Sequence, residues 1–300
     1  MQTLPDTLTA LWQQHGQDQA NGHAESYHSC ISLFRREQEH HMTPVMYQQG
    51  VVLLGQGHKA AMIGEHQFRY DANDVLIIAT SSPLECHAYA SEDQPLLGLY
   101  LPLCAQTLRP IMEQLVHQRG ADYFQPYYGI GVDRQPRDQR LQHAIDGLAT
   151  SLLDPVDAKI LAPNWINSIY YLLLTGPKRH LVAALTQQDQ HLARISASVE
   201  HIQAHCEQKL TVEQLASIAG MSESAFYRAF KSAMKDSPLQ YLKKIRLNQA
   251  KNLILHQGYA ANVAAFAVGY ESAPQFSREF KRYFGVPPSQ AAQIGLMQSA

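Results

Sequence analysis

The sequence is poor in the features that mark secreted, membrane-spanning and disulfide-stabilised proteins. Its 300 residues include only four cysteines, and no two of them form a CxxC pair: Cys30, Cys86, Cys104 and Cys206. This argues against a disulfide framework or a structural zinc site and favours a reducing compartment. No apolar run approaches the ~18 residues that span a bilayer, and the N-terminus lacks the basic start of a secretory signal. We therefore expect a cytoplasmic protein whose three cysteines before residue 190 are buried and inert, with redox sensing as the alternative.

Motifs that mark an enzyme are also missing. The sequence contains neither a Gly-rich phosphate loop nor a GxSxG elbow. Fifteen histidines are present, but no HxH pair is followed by Glu and His at the spacing of a metal-binding cupin. We therefore predict no catalytic residues, no metal and no other cofactor.

Charge is divided unevenly along the chain. From residue 195 onward there are 11 Lys and Arg residues against 7 Asp and Glu, whereas the first 194 residues hold 13 against 19. A basic C-terminal part behind an acidic N-terminal part indicates that the C-terminal part meets a polyanion. The hydrophobic content of 45% is enough for packed cores.

The N-terminal part, residues 1–190, combines strand-like and helix-like segments. Residues from about 30 to 101 alternate short β-type runs with turn residues, as in an antiparallel barrel or sandwich. From about 104 to 188 the apolar period becomes helical, as at Leu108, Met112 and Leu115. Because a small β-barrel can enclose one small ligand, we predict an effector-sensing or dimerisation domain here.

The C-terminal part, residues 191–300, contains one unit twice. AFYRAFKSAMKDSPLQY (225–241) and QFSREFKRYFGVPPSQA (275–291) match at a constant offset of fifty, with both phenylalanines and the arginine between them in step. An Ala-x3-Gly spacing precedes each copy, which lets two helices cross closely. The pattern predicts an all-α domain with two helix-turn-helix units, the first unit at about 211–232 and the second unit at about 262–284.

The first unit has the signals of a helix that enters the major groove of DNA. Thr211 with Gln214 has the spacing of a capping box, and Ser222 suits the N-cap of the second helix. Phe226 and Phe230 lie four residues apart and face the core, so the opposite side of the helix is polar. Early exposed positions of such a helix meet base edges, and a lysine near its end meets phosphate. We predict base contacts from Ser224, Tyr227 and Arg228, and phosphate contacts from Thr211, Ser222 and Lys231.

The second unit follows the same plan with different side chains. Asn262 is the expected cap of its first helix, and Ser272 with Gln275 has the spacing of a capping box for the second. We predict base-facing Ala273, Pro274, Ser277 and Arg278, with phosphate contacts from Ser272, Lys281 and Arg282. Because Ala273 and Pro274 offer only apolar or shape contacts, we expect the second unit to specify less sequence than the first.

A long helix at about 238–256 connects the two units. Its polar side includes Lys244, for which we predict a phosphate contact. A helix of this length holds the two recognition helices ~25 to 30 Å apart, near the ~34 Å of one DNA turn.

These segments resemble a known family. LASIAGMSESAFYRAFK, SPLQYLKKIRLNQAKNLI and VGYESAPQFSREFKRYFGVPPSQ are similar to the C-terminal domain of AraC/XylS-type transcriptional regulators, over about 195 to 291. SLFRR at 32–36, VVLLGQG at 51–57 and YDANDVLII at 70–78 resemble the N-terminal domain of one subgroup. The resemblance implies an α+β fold with a cupin-like β-barrel, and the same base-facing positions that the helix pattern gives.

The resemblance also implies a function and partners. A bacterial regulator of this type binds promoter DNA, acts more often as an activator with RNA polymerase, responds to a small-molecule effector, and can form a homodimer. Two alternatives remain open. The N-terminal domain of a DNA-binding regulator could serve only for dimerisation, or the barrel could be an enzyme or carrier with a fused helical module.

Overall fold

A computed structural model of the chain describes residues 3–16, 19–186 and 191–291. The expected domain boundary at 190 lies outside the described residues. The architecture is α+β, with antiparallel sheets in the N-terminal part and helices alone in the C-terminal part.

Two antiparallel sheets form the N-terminal part. One has six strands in the order β1-β2-β9-β4-β7-β10, and the other has four in the order β3-β8-β5-β6. The strands are β1 (Gly22–Glu25), β2 (Ser32–Arg36), β3 (His40–Tyr47), β4 (Gly50–Gln56), β5 (His58–Ile63), β6 (His66–Asp71), β7 (Asp74–Ile78), β8 (Ser82–Tyr89), β9 (Leu96–Pro102) and β10 (Val132–Pro136).

The two sheets pack face to face around an apolar interior that includes Phe34, Val52, Leu76 and Leu84. The alternate residues of β4 and β7, such as Val51 and Ile77, belong instead to the core on the other side of the six-stranded sheet. Burial on both faces explains why β4 and β7 read as nearly continuous apolar runs. The sheets form an open, barrel-like sandwich.

Helices cover the second face of the six-stranded sheet. The helix α1 (Leu4–His15) packs against β2, β4 and β9. The remaining helices of this layer are α2 (Ala105–Arg119), α3 (Gln139–Ser151), α4 (Pro155–Ile160), α5 (Ala162–Thr175) and α6 (Arg179–Ala183). The apolar run at 169–174 lies in α5, where Ile169, Tyr170 and Leu173 are buried, as the sequence predicts.

The C-terminal part consists of six helices and a short 3-10 turn within residues 191–291. They are α7 (His191–Ala204), α8 (Val212–Ile218), α9 (Glu223–Met234), α10 (Pro238–Gln257), α11 (Ala261–Ala267) and α12 (Ala273–Phe284). The first unit is α8 with α9, the second unit is α11 with α12, and α10 is the connecting helix.

The apolar core does not divide between the N-terminal and C-terminal parts. One continuous cluster runs from Leu4 on α1 through the helical layer to Phe226 and Phe230 on α9, and ends at Ile245 on α10. A separate cluster begins at Leu247 and holds the second unit. The first unit therefore shares its core with the N-terminal part, whereas the second unit has a core of its own.

Three features depart from the sequence expectations. The strand β10 lies in a segment expected to be helical, and pairs with β7 along its whole length. The helix α1 and the strand β1 were not anticipated. Cys30 and Cys104 are exposed, so the expectation of buried thiols is wrong for them and is confirmed for Cys86. Of the helices that the described residues form, none combines the length and apolar character needed to cross a bilayer.

Candidate nucleic-acid interface

Local hydrogen bonds define the start of both helices of the first unit. The Thr211 hydroxyl accepts from Gln214 N at 3.2 Å, and Gln214 Oε1 accepts from Thr211 N at 2.9 Å, which confirms the predicted capping box. Ser222 caps α9 by accepting from Ala225 N at 3.4 Å. Gly220, with φ +61°, makes the turn between the two helices in a region that favours glycine.

The helix α9 buries one side and exposes the other. Phe226 and Phe230 are fully buried, with ring centroids 5.5 Å apart, and Phe230 meets the Tyr241 ring of α10 edge-on. The base-facing candidates and the phosphate candidate of this helix are all exposed: Ser224, Tyr227, Arg228 and Lys231. The structure thus brings the four predicted side chains to one accessible surface.

The second unit repeats this arrangement, with two differences from the sequence expectations. The helix α11 begins after Ala260 without a side-chain cap, and Asn262 lies inside the helix, so the predicted Asn262 cap is wrong. Ser272 accepts from Gln275 N at 3.4 Å, but the Gln275 amide donates onward to Glu279 Oε1 at 3.2 Å. The expected capping box is therefore only half formed.

The exposed side of α12 carries most of its predicted contacts. Phe276 and Phe280 are buried with centroids 5.4 Å apart. Pro274, Arg278, Lys281 and Arg282 are exposed, whereas Ser272, Ala273 and Ser277 are half-buried. Gly269 holds the turn before this helix at φ +87°, and a Cβ there would collide with the backbone of Glu207.

A polar network joins α12 to the connecting helix. Glu279 accepts from the Tyr270 hydroxyl at 2.9 Å and lies 3.5 Å from Lys243 Nζ on α10. Burial raises the pKa of Glu279, but hydrogen bonds from Gln275 and Tyr270 and the charge of Lys243 outweigh it and lower the pKa. The ionised carboxylate therefore fixes the second unit on α10.

Lys244, the phosphate candidate on α10, is half-buried and its Nζ lies 2.7 Å from the Asp236 carboxylate. A contact with DNA would have to compete with that ion pair, because the two need the same ammonium group.

The N-terminal part contacts the first unit beside its exposed surface. The Ser232 hydroxyl donates to Tyr128 O at 3.1 Å, and Gly131 N donates to Ala233 O at 3.1 Å. Arg228 lines a cleft of about 250 Å³ between α9 and residues 127–129. One predicted DNA contact therefore lies at the border with the N-terminal part.

The turn between β7 and β8 also contacts the C-terminal helices. The buried Tyr241 hydroxyl on α10 donates to Ser81 O at 2.8 Å, and the Thr80 and Ser196 hydroxyls share a buried hydrogen bond of 2.8 Å. The strands β3 and β8 both contact α10, and β3 also contacts α12.

A cavity of about 220 Å³ lies between the two sheets, lined by residues from β1, β2, β4 and β9 on one side and β3, β5 and β8 on the other. Most of the wall is apolar, and Lys59 and Arg36 are among its polar members. Among the described residues, no group of three or more His, Cys, Asp or Glu side chains is placed to hold a metal ion.

Comparison with protein families assigns the two parts. The model of the AraC-type transcriptional regulator N-terminus matches residues 28–181, more than half of the chain, and a helix-turn-helix domain model matches residues 215–293. The chain belongs to the AraC-type transcriptional regulators.

Relatives of this AraC-type protein are regulators by name. It is 31% identical to "Probable transcriptional regulator LumQ" of Photobacterium leiognathi over 152 residues, which is 51% of this chain and 59% of LumQ. The match with an uncharacterised HTH-type transcriptional regulator of Bacillus subtilis, YobQ, is 29% identical and covers 43% of this chain and 55% of YobQ. The chain thus spans less than two thirds of the length of these relatives.

The fold is that of ToxT from Vibrio cholerae. A ToxT structure superposes with a TM-score of 0.61 and covers 90% of this AraC-type chain and 98% of ToxT, at 10% identity. Another structure of ToxT contains an unsaturated fatty acid and superposes with a TM-score of 0.57 at 12% identity, over 87% of this chain and 93% of ToxT.

Several contacts in this AraC-type protein are not among those predicted from its sequence. The Gln275–Glu279 hydrogen bond has i, i+4 spacing on a helix, and that local signal could have indicated it. Ser232 bonds to Tyr128, and Lys59 and Arg36 line one cavity. Because each pair is far apart in sequence, no local pattern indicates these arrangements.

Proposed function

We propose that this chain is a cytoplasmic, sequence-specific DNA-binding transcriptional regulator whose N-terminal part responds to a small molecule. The observation that carries this proposal is the pair of recognition helices, α9 and α12, each with its phenylalanines buried and its arginine exposed.

The connecting helix supports simultaneous binding by both units. With 20 residues, α10 is about 30 Å long, close to the ~34 Å between successive major grooves on one face of DNA. In this arrangement Arg228 and Arg278 would each reach base edges, since bidentate arginine to guanine is the commonest specific pairing.

Residues around each recognition helix would set the position on the DNA backbone. Thr211, Ser222 and Ser272 stand at helix N-termini, where free N–H groups favour a phosphate. Lys231, Lys281 and Arg282 lie near the ends of the recognition helices, and Lys244 would add a phosphate contact after releasing Asp236. These contacts supply affinity without sequence preference.

The cavity supports an effector-responsive role over a purely dimerising one. Its walls include β3 and β8, and the same strands contact α10, the helix that carries both units. A ligand that binds one arrangement of these strands better than another would shift the population of DNA-binding states. By family resemblance we propose activation through RNA polymerase, and a capacity to form a homodimer.

Selection of bound DNA from a random pool tests this proposal, with and without a panel of small metabolites. We expect enrichment of a site with two conserved segments about one helical turn apart, and a change in affinity with one member of the panel. Recovery of unrelated sequences, bound with equal affinity, would contradict sequence-specific binding.

A further inference from the structure

The cavity between the sheets contains a buried cation that faces apolar walls. Lys59 on β5 is only 8% exposed, and its Nζ lies 4.8 Å from the Phe34 ring centroid. Val45, Val52 and Ala88 complete much of the surrounding wall. Burial of a charged ammonium among such groups is unfavourable unless an anion accompanies it.

The described residues do not provide that anion. The polar neighbour of Lys59 Nζ is the Tyr47 hydroxyl, at 3.2 Å, and no carboxylate of the described residues lies within 4 Å of it. Arg36 on β2 also lines the cavity and already has an interaction within the chain. Burial lowers the pKa of Lys59 to about 8, so most of the side chain is still protonated at neutral pH. The cavity is therefore positive at that pH.

Besides Lys59 and Arg36, the polar residues on the wall are His23, Ser32, Tyr47, Gln48, Cys86 and Tyr100. Burial lowers the pKa of His23 to about 4, which leaves a neutral imidazole that can still donate one hydrogen bond. Tyr100 already donates its hydroxyl hydrogen to Gln49 O at 2.8 Å. A cationic ligand would be repelled by the Lys59 ammonium.

The size of the cavity limits the body of the ligand. A volume of about 220 Å³ is below the ~300 to 1,000 Å³ typical of drug-sized ligands. A short alkyl chain or a single aromatic ring matches that space better than a long acyl chain.

We propose that this cavity binds a compact apolar monocarboxylate, with its carboxylate against Lys59 and its apolar body against Phe34, Val45 and Val52. The inference rests on the proposed function in that this ligand would be the effector. The walls on β3 and β8 place it against the strands that contact α10.

Calorimetric titration of the full chain without DNA tests the inference, with octanoate, phenylacetate and benzoate as carboxylates and 1-octanol and octylamine as neutral and cationic counterparts of octanoate. We expect at least one carboxylate to bind with one-to-one stoichiometry. If it is octanoate, octanol and octylamine should bind about tenfold more weakly or not at all.

Three substitutions locate the carboxylate. Lys59→Met keeps the length of the side chain and removes its charge, and should weaken carboxylate binding about tenfold or more. Lys59→Arg should retain binding, and Lys159→Met, at an exposed lysine on α4, should leave it unchanged. Circular dichroism and a thermal melt establish that each variant is folded.

Three outcomes would overturn the inference. They are no saturable binding of any of the three carboxylates, equal binding of octanoate and octanol, and unchanged affinity in folded Lys59→Met. DNA binding is measured separately, with and without the carboxylate. Carboxylate binding without DNA binding would contradict only the proposed function, and DNA binding without carboxylate binding would contradict only this inference.

Discussion

The two helix-turn-helix units share a sequence pattern but differ in how they are attached to the rest of the molecule. Phe226 and Phe230 of the first unit belong to the core that extends to Leu4 and the helical layer of the N-terminal part. Phe276 and Phe280 belong to a small core that starts at Leu247. A change in the N-terminal part therefore reaches the first unit through a shared core, and reaches the second unit through α10 and the contact between β3 and α12.

The ends of the two recognition helices show the same difference. The helix α12 ends at Gly285 with φ +81°, where glycine adopts the left-handed conformation without strain. The equivalent position of α9 is Lys235, with φ +58°, and its side chain packs against Gly64 in the turn between β5 and β6. A strained residue at this point fits a helix whose end is held by the N-terminal part.

The second unit has contacts that the first lacks. Glu279 joins α12 to Tyr270 and Lys243, whereas the first unit carries Ala229 at the equivalent position. The two units therefore have similar helices, but the first shares a core with the N-terminal part and the second is joined by Glu279 to the connecting helix.

The largest expected effect, on stability, comes from truncating one buried phenylalanine in each core. Phe230→Ala and Phe280→Ala should each cost about 3 to 5 kcal/mol of local stability, because both side chains are fully buried. Trp12 and Trp165, the only tryptophans in the sequence, report on the N-terminal core. In urea, Phe230→Ala should shift the fluorescence transition to lower denaturant, and Phe280→Ala should leave it nearly unchanged. Equal shifts would show that the two cores unfold as one.

Removing the Arg278 side chain from the second unit should have the next largest effect, on specific DNA binding. Arg278→Ala should weaken specific DNA binding by about 1 to 3 kcal/mol and relax the preference at one base pair. Arg109→Ala, at an exposed arginine on α2, is the matched control. Binding measured across single-base variants of the selected site checks both effects, and an unchanged preference would remove Arg278 from the base-facing set.

A smaller effect is expected from the Glu279 network. Its pKa is lowered in the folded chain, so the ionised carboxylate contributes stability above the ordinary pKa of glutamate, near 4.5. That contribution is lost as pH falls through the lower, folded value. Glu279→Gln should cost the second unit about 1 kcal/mol at neutral pH, and Glu271→Gln, at an exposed position, should cost almost nothing. Hydrogen exchange of α12 amides measures the difference, and equal exchange in both variants would contradict a clamping role.

The smallest effect is expected at a phosphate contact. Lys281→Ala should weaken binding to specific and unrelated DNA about equally and reduce the dependence of log affinity on log salt by about one. Lys159→Ala serves as control. A full salt slope in Lys281→Ala would show that this ammonium does not meet phosphate.

Local sequence signals predicted the helical part well. The capping box at Thr211, the N-cap at Ser222 and the buried phenylalanine pairs all follow from spacing along one helix, and the structure confirms them. Asn262 failed as a cap because α10 ends at Gly258 and α11 already begins after Ala260, so the asparagine falls within the first turn.

Local sequence patterns did not predict the contacts between residues far apart in the chain. The strand β10 lies in a segment whose pattern predicts helix, because its partner β7 lies nearly sixty residues earlier in the chain and only pairing makes Val132–Pro136 a strand. Lys59 and Arg36 line one cavity because β5 and β2 belong to different sheets that pack face to face. The buried residues of α1 and of α9 each have helical spacing, but no local pattern indicates that the two helices share one core.

Hydroxyl-radical footprinting of the full chain on its selected DNA site tests whether α9 and α12 bind DNA together. We expect two protected segments on one face of the duplex, about one helical turn apart, with Arg278→Ala and Lys281→Ala affecting only one of them. A single protected segment, or protection that both variants leave unchanged, would contradict the claim that α9 and α12 bind DNA together.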